Sequence, residues 1–163
     1  MCCKTQSIEA TLLETLPLAE AIFNNGEEDL ILQTVEEQLL KDDFSCILFR
    51  FLGNTLNGFC TYYPYRPLLC RLFGFAARRN RLDELDFCTC KHLRGISPDS
   101  VRRAEFSVSM GLRIPIYQES FMRIAAMNPT IGFLRRPINL AIKEALEYLY
   151  WRRPGKVMMA KAS

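Results

Sequence analysis

The sequence predicts a mainly α-helical small domain spanning residues 1–163, with one irregular cysteine-rich region set between its helices. Two observations predict it. Capped segments with apolar residues at helical spacing lie on both sides of residues 46–90, and the stretch between them loses that period. Nearly half of the residues are apolar, with eleven Phe and six Tyr, so the chain can bury a core without crosslinks.

Residues 8–24 read as helix in two pieces, because Pro17 would clash with the preceding turn. Leu12, Leu13, Leu16, Ala19, Ile22 and Phe23 supply its apolar face, and Asn24-Asn25-Gly26 stops it. Glu27 to Lys41 is the next helix, with Leu30, Ile31, Val35, Leu39 and Leu40 at helical spacing and an acidic first turn. The aromatic stretch 46–52 is followed by Gly53-Asn54 and Asn57-Gly58, which suits a hairpin or irregular loop, and the only extended structure is expected near residues 46–63.

Pro67 fits the first turn of a short helix ended by Gly74, with Cys70 near its start, where free N–H groups and the helix dipole favour a thiolate. Ser97-Pro98 caps a helix from about Asp99 to Met110. Pro115 opens one through Ala126, and a last helix runs from Pro137 to Arg153.

Cysteine is the unusual component. Three of the seven are spaced Cys46-x13-Cys60-x9-Cys70, a Cys2-Cys3 pair opens the chain, and Cys88-Thr89-Cys90 follows. An odd count leaves at least one thiol outside any complete internal pairing. No apolar leader segment and no run long enough for a membrane span is evident, so the expected compartment is the cytoplasm, without a membrane partner. In a reducing compartment clustered cysteines are more often metal or catalytic sites than disulfide scaffolds. Thiolates are soft ligands that suit zinc, iron and iron–sulfur centres. Spacing alone leaves open a metal site or small buried hydrophobic residues.

The net charge is +3. Its basic residues fall in short clusters, Arg78-Arg79-Asn80-Arg81, Arg102-Arg103, Arg135-Arg136 and Arg152-Arg153, which read as solvated helix ends. Long basic stripes with interleaved aromatics are missing, so no clear nucleic-acid partner emerges. Nucleophile elbows, phosphate loops and H-E-x-x-H are absent too, and any catalysis would have to use a metal. Glu9, Glu14, Glu20 and Glu27-Glu28-Asp29 have helical-surface explanations.

The segment Cys46…Cys60-x-x-Tyr63-x-x-Arg66-Pro67-x-x-Cys70-Arg71-x-Phe73 resembles the core signature of the YkgJ-like cysteine-cluster family, described as zinc- or iron-chelating and often labelled as iron–sulfur proteins. The resemblance runs from residue 2 to about residue 100. It implies that Cys2, Cys3, Cys46, Cys60 and Cys70 are metal ligands, with Cys88 or Cys90 as the downstream one. A further cysteine upstream of the pair, usual in the family, has no counterpart here, which leaves open one metal ion or a multi-iron cluster. Arg66 and Arg71 would steady the thiolates from outside the ligand shell. Tyr62, Tyr63 and Tyr65 would wall the site off, and His92 is a weaker ligand candidate. The function expected is zinc or iron binding. The alternatives are an iron–sulfur electron carrier or metalloenzyme, since a flagellin lysine methylase group has similar clusters, and a metal-free helical interaction module with core cysteines.

Overall fold

The computed structural model describes residue 3 and residues 8–53, 58–89 and 91–153, with the backbone only at 91 and 92. A short strand, β1 (Glu9–Thr11), runs into helix α1 (Leu12–Asn24), and α2 (Glu28–Leu40) follows. Thr11 caps α1 through a reciprocal box: its hydroxyl accepts from the Glu14 amide at 3.2 Å, and its own N–H donates to the Glu14 carboxylate at 2.8 Å. Pro17 lies inside α1, and the helix continues through it, contrary to the two pieces expected. Buried packing of α1 along the last helix, α8 (Ile138–Tyr150), outweighs the local proline penalty.

The core is built from that helix pair and α2. Leu18, Ala19 and Ile22 of α1 meet Ala141, Ile142, Ala145 and Leu146 of α8, with Ile31 and Val35 from α2. Thr15 sits fully buried at the seam, where its hydroxyl lies 3.0 Å from the Ala141 carbonyl as well as from Thr11 and Leu12 carbonyls in its own segment. Glu28, expected on a solvated face, is buried.

Between α2 and α8 the chain forms two hairpins and a series of shorter helices. Strands β2 (Phe49–Phe51) and β3 (Gly58–Cys60) pair antiparallel, with Phe49 opposite Cys60. A 3₁₀ turn at Tyr63–Tyr65 leads to α3 (Leu68–Leu72), and Gly74 (φ +82°) reverses the chain behind it. Strands β4 (Ala77–Arg79) and β5 (Leu85–Phe87) form the second hairpin. Helices α4 (Lys91–Ile96), α5 (Pro98–Ser109), α6 (Tyr117–Ala125) and α7 (Pro129–Gly132) follow, and β6 (Arg135–Pro137) pairs with β1.

The molecule is thus mainly helical with some short strands. Extended structure is more widespread than expected, because β4–β5 and β1–β6 lie outside residues 46–63. Three-residue strands leave too short an alternation for a period of two to register. Two of the arginine clusters expected at helix ends belong to these strands instead, Arg78-Arg79 in β4 and Arg135-Arg136 in β6. No helix of the described residues is long and apolar enough to cross a membrane.

Candidate functional site

Four cysteines from distant parts of the chain line one cavity of about 280 Å³. Cys3 comes from the chain start, Cys46 from the loop before β2, Cys60 from the end of β3 and Cys70 from α3. Leu18 and Ile138 form the floor from the helical core, and Tyr62, Arg66 and Phe73 close the sides.

Each thiol is placed by backbone held elsewhere. The N–H of Cys46 donates to the Cys3 carbonyl at 2.8 Å. Buried Ile47 and Leu48 anchor the segment that follows Cys46. Asn139, on the first turn of α8, binds the same segment with its side chain. Its Oδ1 accepts from the Ile47 N–H at 3.1 Å, and its Nδ2 donates to the Ser45 carbonyl at 2.8 Å and to Gln38 Oε1 at 2.9 Å. Reading the sequence alone missed Asn139. The available signal was a polar residue next to Ile138 at the start of an apolar helix.

Cys60 is set by the β2–β3 hairpin, whose close approach demands glycine at position 58. A Cβ there would lie 2.3 Å from the Arg50 carbonyl oxygen and 2.4 Å from the Phe49 ring. After Cys60, the Tyr62 hydroxyl donates to Glu27 at 2.7 Å and accepts from Asn25 at 3.0 Å, tying the segment to the α1–α2 turn. Cys70 is the third residue of α3.

The four thiols share a desolvated setting that opposes their ionisation. Burial pushes Cys46 up to about 12 and Cys70 up to about 12, and it also raises Cys3 and Cys60. Proximity adds to this: ionising Cys70 is opposed by Cys46, Cys3 and Cys60 in turn. Arg66 acts the other way on Cys3, Cys60 and Cys70. The expected lowering of Cys70 by its helix is therefore overturned, because five residues of helix cannot offset desolvation and three neighbouring thiols.

Among the described residues, no group of three or more His, Cys, Asp or Glu side chains stands at metal-binding spacing. The described lining of the thiol cavity carries four sulfurs and no carboxylate.

The two arginines divide their roles. Arg66 lines the cavity, stacks 3.5 Å over the Tyr63 ring, and donates to the carbonyls of Tyr63 at 3.0 Å and Cys70 at 3.2 Å. Arg71 is not on the cavity wall. It donates to the Arg66 carbonyl at 2.7 Å and to the Pro64 carbonyl, so it braces the 3₁₀ turn. Of the three tyrosines expected to wall off the site, only Tyr62 does so; Tyr63 and Tyr65 are exposed.

Cys88 lies apart. Its backbone pairs with Gly74 and Ala76, and it faces a second cavity beyond Phe73, whose ring borders both. Cys2, Cys90 and the side chain of His92 lie outside the described residues. No family model matches the chain, and no curated protein or solved structure matches it. The likeness to the YkgJ-like family rests on the residues quoted for it.

Proposed function

We propose that the protein binds a soft metal ion, zinc or iron, through the thiolates of Cys3, Cys46, Cys60 and Cys70, with Arg66 moderating the charge beside them. One observation carries the reading: four thiols spread over residues 3–70 line a single cavity, with no carboxylate among its described lining residues. The cysteine pattern, similar to that of the YkgJ-like chelating proteins, supports it. Zinc in a closed thiolate set supplies folding energy, whereas iron with sulfide supplies electron transfer. The reading requires the thiols to shed their protons on binding.

A second reading, a metal-free helical module with core cysteines, is favoured by the lack of a metal-holding group among the described residues and by the packing of Cys46, Cys60 and Cys70 against the core. Elemental analysis of protein purified without oxygen separates the two. Metal binding predicts stoichiometric zinc or iron, with acid-labile sulfide added if the centre is an iron–sulfur cluster. It also predicts that Cys70→Ser loses metal and melting temperature together. Protein without metal, folding equally well as Cys70→Ser, establishes the second reading.

A further inference from the structure

The second cavity measures about 730 Å³, within the range of small-molecule sites, and is distinct from the thiol cavity. Its wall combines two kinds of surface. Leu69, Phe73, Leu85 and Phe87 give an apolar side. The wall also carries three guanidinium groups, Arg78, Arg94 and Arg135, and two carboxylates, Asp86 and Glu105.

These charges are not equally engaged. Arg94 pairs with Glu105 at 2.6 Å, and Arg78 lies 3.9 Å from Asp86. Arg135 makes no ion pair among the described residues. Aromatic faces hold it instead, with its guanidinium 4.0 Å from the Phe121 ring centroid and 5.4 Å from that of Tyr117. Such stacking fixes a guanidinium plane while leaving its N–H edge free for a ligand. Thr89 also lines the wall, and its hydroxyl oxygen is buried with no hydrogen-bond partner among the described residues. A buried hydroxyl without a partner costs stability that a bound acceptor or donor restores.

We infer that this cleft binds a small organic carboxylate, its anionic end on Arg135 and its apolar body against Phe73 and Phe87. The wall carries one more guanidinium than carboxylates, which matches a monoanion better than a phosphate dianion. Planar carboxylate geometry suits the guanidinium edge. This inference does not depend on metal at the thiol cavity.

The test titrates benzoate into the full chain and follows the amide resonances of Phe87, Cys88 and Thr89, with benzyl alcohol and phenyl phosphate as comparisons. Saturable shifts at those amides with benzoate are expected, with weaker binding of both comparison compounds. Arg135→Gln should weaken benzoate by about tenfold, the scale of losing one charge-assisted contact. Glu105→Gln frees Arg94 and should tighten it, so the two variants move in opposite directions whatever their effects on stability. Absence of saturable shifts overturns the inference, as does unchanged affinity in both variants or equal binding of benzyl alcohol. Tighter binding of phenyl phosphate overturns the monoanion assignment. Metal content measured on the same samples keeps this outcome separate from that of the thiol site.

Discussion

The backbone N–H of Cys46 donates to the carbonyl of Cys3 at 2.8 Å, joining the start of the chain to the entry of the first hairpin. That single bond sets two sulfur-bearing residues side by side although forty-two residues separate them in sequence. The remaining thiols reach the same cavity from the hairpin and from α3. The arrangement makes the cavity a meeting point of the chain start, the β2–β3 hairpin and α3.

Asn139 should matter more than its place in an apolar helix suggests. Its amide satisfies the Ile47 N–H and the Ser45 carbonyl around Cys46, and it is 5 % exposed. Asn139→Leu leaves those groups unpaired, and a loss of about 1–3 kcal/mol is expected. Denaturant unfolding measures the loss, and alkylation of Cys46 should accelerate in the same variant. Wild-type stability would show that the contact is dispensable.

Gly58→Ala should disturb the hairpin that carries Cys60. A methyl group 2.3 Å from a backbone oxygen cannot be accommodated by side-chain rotation. Destabilisation of about 1–3 kcal/mol follows from overpacking, and the proposed metal-binding reading adds a fall in metal content. Retention of both would mean that β2 and β3 can separate at no cost.

The pH dependence has a definite sign. Burial holds Cys46 and Cys70 protonated to about 12 in the folded protein, against an ordinary value of 9.0. Above pH 9 the folded state therefore retains more protons than the unfolded one, so stability falls as pH rises. The contribution is complete below the ordinary value and is lost as pH climbs through about 12. Unfolding of metal-free protein across this window should show the decline, and Cys46→Ala should flatten part of it. A stability that rises over the same window contradicts the burial argument.

Arg66 and Arg71 should separate experimentally. Arg66→Gln removes the cation beside three of the thiols; on the proposed metal-binding reading it should weaken metal binding at neutral pH, since thiols must ionise to bind. Arg71→Gln cuts two backbone contacts of the 3₁₀ turn and should lower the melting temperature. Metal titrations beside thermal melts distinguish them. Equal effects on both readouts would dissolve the division.

Helices were legible where caps and apolar spacing agree. Glu28–Leu40 and Pro98–Ser109 start and stop within a residue or two of their sequence signals. The signals mislead where tertiary packing overrides them. Pro17 reads as a break, yet burial against α8 carries α1 through it. Strands β4 and β6 carry arginine pairs that mimic helix ends, and three residues are too few to show alternation. At the site, the cysteines stand out by type and spacing, and Arg66 by its motif. Asn139 does not, because its role depends on a contact 92 residues away in sequence. Equally invisible was the height of the Cys70 titration, which arises from neighbours that only the fold assembles.

X-ray absorption at the metal edge of zinc-loaded protein tests the central claim most directly. Coordination by Cys3, Cys46, Cys60 and Cys70 predicts a shell of sulfur neighbours at about 2.3 Å, with fewer sulfurs in Cys70→Ser. A shell of nitrogen and oxygen alone, or a sulfur shell unaltered by Cys70→Ser, would contradict it.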